Sequence, residues 1–415
     1  MFKISIISFS LTKGGAGIAA NRFKKILSEN IRCNYVGSIN QDNAGLIQFF
    51  KRLISFVLMK LQFTTNPTKH SLNLFSFQPV LTAFKHSKDT LYHLHWINND
   101  TLSVFDFDKI PSGSIITLHD EWLYCGAEHH YDDFDESKDF LYGYRYPKKG
   151  MLGIHWNSLI WRVKYNKLAH RDDLIYTTPS SWMQKRAKSS FMLKKSDIRL
   201  LPNPIDTEIF KRSTENELAI SRRNLNINKD CFVFVFAACT KKNNKLKGIN
   251  LLFTALHLLQ SKNLNIPISK IVIIDFGFSN RDTQLHDYRR ISIGHVHDSA
   301  DLAKIYSIAD CVIVPSMFES FGQVSAEAIS CQTPVVCFDT SGLKDIIIDN
   351  YNGLIAKKMS AIALCDELQK IINLPGKLRL EMGMNGRKHV LENFSHTIIT
   401  KKYLNILKDA VALKN

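Results

Sequence analysis

The stretch DCVIVPSMFESFGQVSAEAISCQTPVVCFD (310–339) decides the fold. Its CVIV run is continuous and apolar, as a strand buried on both faces requires. A loop with a glycine follows, and QVSAEAISC (323–331) then reads as a short helix. TPVVCFD (333–339) supplies a second buried strand. Strand, helix and strand within about thirty residues make a parallel βαβ unit.

The same alternation continues on both sides. CFVFVFAA (231–238) and KIVIIDFG (270–277) are further strands, with NLLFTALHLLQSKN (250–263) as a helix between them. In the first half the clearest strands are KISIIS (3–8), the run ending in LYHLHWI (91–97), SIITLH (114–119) and LIYTTP (174–179). A chain of 415 residues exceeds one ordinary domain. Pro202 and Pro204, in LPNPIDTE, end regular structure and stiffen a linker. The expectation is an α/β protein with two Rossmann-like, doubly wound domains, residues 1–200 and 201–395, facing across a cleft. Ligands of such sheets bind at the carboxyl ends of the strands.

Composition fits a globular protein: 45% hydrophobic and 22% charged. None of the eight cysteines has CxxC spacing and most sit in apolar runs, so they read as reduced core residues. The start, MFKISIISFS, lacks the apolar core of a signal peptide and reads as a first buried strand. No run reaches the roughly 18 apolar residues of a spanning helix. The net charge of +16 is spread, with 27 basic and 17 acidic residues in 1–200 and 27 and 21 in the rest. Without a clustered basic tail or a known module, nucleic acid is not the expected partner. Anionic lipid and diphosphate ligands suit the same balance.

Glu319 and Glu327 flank a loop-to-helix transition. A loop carboxylate can accept hydrogen bonds from sugar hydroxyls, and one on the helix can accept both ribose hydroxyls. The helix start, through the backbone N–H groups of Phe321, Gly322 and Gln323, suits a diphosphate. Two solvated glutamates on a surface helix are the bland alternative. In CTKKNNKLKG (239–248), Lys241 and Lys247 follow a strand and precede a helix, where ammonium groups can neutralise phosphate. A solvated basic turn would read the same way. LTKGGAG (11–17) places Gly14, Gly15 and Gly17 after the first strand, so backbone can approach phosphate closely. It is not the dinucleotide GxGxxG pattern, and a tight turn is the alternative.

His119, Asp120 and Glu121 stand at a strand end, and His95 stands at another, where it could equally be a packed core histidine beside Trp96. EHHYDDFDESKD (128–139) invites a metal reading through His129, His130, Asp132 and Asp133. Adjacent positions rarely aim at one ion, so no metal is expected. Two stretches suit a surface or a core. FFKRLISFVLMKLQF (49–63) puts Phe49, Phe50, Leu53, Ile54, Val57 and Leu61 on one helical face. WNSLIWRVKYNKLAHR (156–171) interleaves Trp156, Trp161 and Tyr165 with Arg162, Lys164 and Lys167.

Together these motifs resemble the family 4 glycosyltransferases of the two-Rossmann-domain (GT-B) architecture, over nearly the whole chain. HLHWIN and TLHDEW are similar to segments of the polysaccharide and O-antigen branch. The resemblance implies a retaining, metal-independent transferase that takes a nucleotide-sugar, UDP- or GDP-linked, as substrate and needs no cofactor. It gives Glu319 the donor sugar, Glu327 the ribose, Lys247 the diphosphate and Gly15 the loop facing it. His119 falls on the histidine near the reacting sugar, so His119 and Glu319 are the catalytic candidates. Lys241 stands where the family has arginine, which keeps the charge but loses the bidentate fork. Gly14, His95 and Asp120 belong to the acceptor side. The implied acceptor is a lipid-diphosphate-linked saccharide, with the protein cytoplasmic and peripheral on the anionic inner face of a bacterial plasma membrane. The segment 396–415 becomes a helix crossing back to the first domain. A nucleotide-sugar epimerase of the same architecture and a catalytically silent sugar-nucleotide-binding subunit are the alternatives.

Overall fold

The structure is a computed structural model and describes residues 3–31, 35–62, 66, 68–86, 88–131, 138–144, 153–237, 245–277, 285 and 287–414. The chain forms two compact units, Met1–Pro204 with Ile399–Asn415, and Ile205–Ile398. Each is built on a six-stranded parallel sheet, so the expected α/β architecture of two Rossmann-like domains is what forms.

The first sheet contains β1 (Lys3–Ser8), β2 (Tyr35–Ile39), β3 (Thr90–His95), β4 (Ile115–Thr117), β5 (Ile175–Thr178) and β6 (Asp197–Leu200). Their order is β2-β1-β3-β4-β5-β6. The chain steps from β1 outward to β2 and then crosses to β3 on the other side of β1. The direction of winding therefore reverses between β1 and β3, which opens a crevice at their carboxyl ends. One face is covered by the helix Gly14–Asn30 and by the last helix, His396–Lys414. Ile4 and Ile6 of β1 pack there with Phe23, Leu27, Ile399, Tyr403 and Leu407.

The second sheet contains β7 (Phe232–Ala237), β8 (Ile271–Phe276), β9 (Arg289–Gly294), β10 (Cys311–Val314), β11 (Val335–Phe338) and β12 (Gly353–Ala356). The order is β12-β11-β10-β7-β8-β9, so the reversal here lies between β7 and β10. Alternate residues of its strands feed two cores. Val233, Val235, Val312 and Val314 face one, and Phe232, Phe234, Phe236, Cys311 and Ile313 face the other. Among the described residues six cysteines are free thiols, five of them buried, and no helix is long and apolar enough to cross a membrane.

The two surface-or-core stretches separate cleanly. The helix Trp156–Leu168 buries Ile160, Trp161, Lys164 and Leu168, so it is a core element. Its Lys164 ammonium lies under the Trp122 ring and donates to the Trp122 and Gly126 carbonyls. Burial pulls that lysine down to about 7. The helix Leu46–Met59 does the reverse and leaves its apolar side chains exposed.

Candidate functional site

Both reversal points carry residues named from the sequence. In the second unit the carboxyl end of β7 leads to residues 238–244, which include Lys241 and lie outside the described residues. A short turn (Lys245–Lys247) and Gly248 then start the helix Ile249–Leu259. Gly248 has φ +63°, and a Cβ there would stand 1.8 Å from the Pro315 carbonyl oxygen. Only glycine lets this turn press against the loop that leaves β10. The Met317 amide, 2.7 Å from the Leu246 carbonyl, ties the two loops together.

That contact brings Lys247 onto Glu319, and the ammonium and carboxylate form an ion pair. Ser316 donates to the same carboxylate oxygen from 2.8 Å. The Glu319 backbone is fixed as well, its N–H donating to Ser341 Oγ at 2.8 Å and its carbonyl accepting from the Gly342 N–H at 2.8 Å. Gly322, with φ +99°, opens the helix Gln323–Ser330 with no side chain capping it. Its first N–H groups therefore lack a side-chain acceptor at the cap, the arrangement that receives an anion. Phe321 contributes backbone only, because its ring is buried against Phe394 at 5.5 Å between centroids. Gln323 Nε2 and Ser325 Oγ are buried with no partner. Glu327, about one turn along, is 5% exposed and accepts from Tyr306 Oη at 3.2 Å. The structure thus gathers Lys247, Glu319, Gly322 and Gln323 at one reversal point, with Glu327 deeper in the same helix.

In the first unit, β1 ends in a loop braced by Asp42. This carboxylate accepts from Ser10 Oγ at 2.5 Å and from the Leu11 N–H at 3.0 Å. Ser10 Oγ in turn accepts from the Thr12 and Lys13 amides at 3.1 and 3.0 Å. Gly14 and Gly15 begin the helix at an exposed, uncapped N-terminus. Gly17 lies against the loop, where a Cβ would meet Ser10 O at 2.7 Å.

Beside this loop, His95 ends β3 and His119 follows β4. His95 Nδ1 and His119 Nε2 are 2.8 Å apart. His93, one strand step deeper, meets His95 at a tilt with 4.0 Å between ring centroids and bonds Tyr403 Oη at 2.6 Å and Thr117 Oγ1 at 2.7 Å. Burial drives all three imidazoles toward the neutral form, His119 to about 4 and His93 to about 3. His95 is lowered for the same reason, with His93 and His119 adding to it.

Asp120 is built into the framework. It accepts from Trp96 Nε1 at 2.7 Å, from the Trp122 N–H at 3.0 Å and from His129 Nδ1 at 2.6 Å. Burial opposes its ionisation, but His129 outweighs this and holds the carboxyl below its ordinary range. Glu121 is fully buried and pairs with Arg186 at 2.5 Å. The metal reading of 128–139 falls partly outside the described residues, at Asp132 and Asp133. Its described His129 is held between Asp120 and Ser71 Oγ, 2.8 Å away. Ser316, Ser341 and Asp42, which position the two loops, carry no sequence signal, because serines and aspartates are common and their partners lie far away in the chain.

The comparisons fit this geometry. Residues 219–389, most of the second unit, match the family described as glycosyl transferases group 1. A capsular polysaccharide biosynthesis glycosyltransferase, CapM of Staphylococcus aureus, is 29% identical over 177 residues, covering 40% of this chain and 45% of that one. Across eight such relatives the match covers between 23% and 60% of the relative's own length. Sucrose-phosphate synthase from Thermosynechococcus elongatus has the same fold (TM-score 0.65, 17% identity, 99% of each chain). So does Anabaena Alr3699/HepE, solved with UDP and glucose (TM-score 0.62, 16% identity, 98% of this chain and 100% of that one). The two-sheet architecture is that of the GT-B glycosyltransferases.

Proposed function

We propose that the protein is a retaining, metal-independent glycosyltransferase that moves a sugar from a UDP- or GDP-sugar onto a lipid-linked saccharide in surface polysaccharide synthesis. The observation that carries this reading is the Lys247–Glu319 ion pair beside the uncapped helix start at Gly322. Each partner holds the place of a donor group. With donor bound, the ammonium turns to the diphosphate and the carboxylate to sugar hydroxyls, so the pair exchanges one set of charge-assisted bonds for another. The helix N–H groups and Gln323 receive phosphate oxygens, and Glu327 receives the ribose. The match to group 1 glycosyl transferases spans all of these residues, and the CapM relative supports the polysaccharide setting.

Glu319 is not free to act as a nucleophile, because with donor bound its carboxylate accepts from sugar hydroxyls and from Ser316 Oγ. The reading is therefore front-face substitution. The bond from the anomeric carbon to the diphosphate oxygen breaks, and the acceptor oxygen bonds to the same face. The acceptor hydroxyl proton passes to the departing phosphate. Lys247 and the helix N-terminus stabilise the charge left on the diphosphate. The first unit supplies the acceptor side through Gly14, His95 and Asp120, and Gly15 belongs to the donor's diphosphate. His119, held neutral, offers the reacting sugar a hydrogen bond rather than a charge.

The test is turnover of a panel of UDP- and GDP-sugars in EDTA, with and without bacterial lipid extract, wild type beside Glu319→Ala. The expected result is release of one nucleotide, stimulated by lipid and lowered about 100-fold or more in the variant. Conversion of the donor sugar without acceptor would make the protein an epimerase. Binding of a nucleotide-sugar without turnover would leave the silent subunit, and failure to bind any would overturn both readings.

A further inference from the structure

We infer that the helix Leu46–Met59 is a membrane-docking element that lies in the plane of an anionic bilayer, its apolar side at the boundary of headgroups and acyl chains. The inference concerns where the protein is held, and it stands independently of the transferase reading.

The helix is turned inside out relative to a core helix. Its inward side carries Gln48 and Ser55, which both bond Asp100. Gln48 Nε2 donates to the Asp100 carbonyl at 2.6 Å and Ser55 Oγ to the Asp100 carboxylate at 2.9 Å. Trp156 Nε1 fixes the far end by donating to the Leu58 carbonyl at 2.8 Å. The outward side is apolar. Leu46 and Ile47 are 76% and 77% exposed, and Phe49, Phe50, Leu53, Ile54, Phe56 and Val57 are all exposed beside them. A contiguous apolar surface of this kind marks an interaction site, and polar anchors on the inner side hold it outward.

Length and charge choose the partner. Fourteen residues at about 1.5 Å each give roughly 21 Å, short of the ~30 Å hydrocarbon core, so the helix lies along the surface rather than crossing it. Between Asp42 and Asp89 the sequence has no acidic residue but carries Lys51, Arg52, Lys60, Lys69, Lys85 and Lys88. A second copy docking on this face would set Lys51, Arg52 and Lys60 against their own equivalents, and the carboxylate beside Arg52, Asp100, is buried and already bonded to Ser55 and the Phe75 N–H. A leaflet of anionic headgroups neutralises the same charges. Apolar insertion and basic attraction together supply the two signals that stable surface binding needs.

The element is also joined to the candidate site. Asp100, which anchors the helix, follows His95 by five residues on the loop that leaves β3. A lipid-borne ligand held at this surface would therefore be presented on the side of the first sheet where His95 and His119 stand.

The experiment is co-sedimentation of the full chain with vesicles of phosphatidylcholine, with or without phosphatidylglycerol. Wild type is compared with Phe50→Ser/Ile54→Ser/Val57→Ser and with Lys51→Glu/Arg52→Glu. Wild type should bind the anionic vesicles and bind more weakly at high salt. The triple variant should bind at least tenfold more weakly. Each basic residue removed should cost roughly fivefold on anionic vesicles. A Phe50→Trp variant should show an emission shift to the blue when vesicles are added. Failure of wild type to bind anionic vesicles, or equal binding by the triple variant, would overturn the inference. So would a wild-type dimer in sedimentation velocity that the triple substitution abolishes.

Discussion

His93, His95 and His119 form a line of imidazoles from the core of the first sheet to its carboxyl edge, and the hydrogens on that line can be assigned. His95 Nε2 is buried without a partner. An unmet lone pair there costs less than an unmet N–H, so His95 carries its hydrogen on Nδ1 and donates to His119. His119 then keeps its own hydrogen on Nδ1, where it can donate outward. The neutral state of the line has a measurable consequence. The unfolded chain takes protons near pH 6.5, whereas folded His119 and His93 resist them until about 4 and 3. Their contribution is complete above 6.5 and is lost as pH falls through that window. All five tryptophans lie in the first unit, so their fluorescence during urea unfolding reads that unit alone. Its stability should fall between pH 6 and 4.5, and His93→Gln should flatten the slope by about 1.4 kcal/mol per pH unit. Equal slopes would mean that His93 titrates normally. The charged and aromatic types at strand ends made Glu319, Glu327, Lys247 and His119 legible in the sequence. The Asp120 network was not, because Trp96 and His129 reach it only after the loops have folded.

At the scale of elements, the eight strands read from the sequence are the internal ones, and β2, β6, β9 and β12 are missing from that reading. These four are the sheet edges. Internal strands are covered on both faces and show as unbroken apolar runs, whereas RRISIG of β9 and DIRL of β6 are partly exposed and mix charge with apolar residues. The glycine turns follow a different logic. Gly248 in the sequence marks only a helix start, but the structure gives it a close approach to the loop after β10. Gly248→Ala should push that loop and Glu319 away from Lys247, at a backbone cost of about 1–2 kcal/mol before the clash is counted. Donor affinity by calorimetry should fall together with the melting temperature. Gly45→Ala is the control, since a Cβ there meets nothing within 4 Å and should leave both unchanged. Donor affinity surviving Gly248→Ala would separate this turn from the binding site.

At the scale of the molecule, the chain leaves its first unit at Pro204 and returns to it at Ile399. The two prolines announce the departure, and the return of the last segment to the first domain is implied only by the family resemblance, not by the segment's own residues. The structure resolves this through burial. Ile399, Tyr403, Ile406, Leu407 and Ala410 pack into the core with β1 and the first helix, and Tyr403 Oη bonds His93 at 2.6 Å. A domain's net stability is about 5–15 kcal/mol, and a single buried Leu or Ile truncated to Ala costs about 2–5 kcal/mol. Removing the whole segment therefore exceeds what the first unit can lose. A chain ending at Ile398 should show red-shifted tryptophan emission in plain buffer and no cooperative fluorescence transition in urea. The second unit has no tryptophan and contributes nothing to that signal. Its own sheet and two cores remain intact, so far-UV circular dichroism should still show a cooperative thermal transition. Tyr403→Phe is the milder form of the experiment. It leaves His93 Nδ1 without its partner and should lower first-unit stability by about 1–3 kcal/mol while keeping the native emission. If the truncated chain kept its emission and its transition, the last helix would be an appendage, and the unit would be closed by residues 1–204 alone.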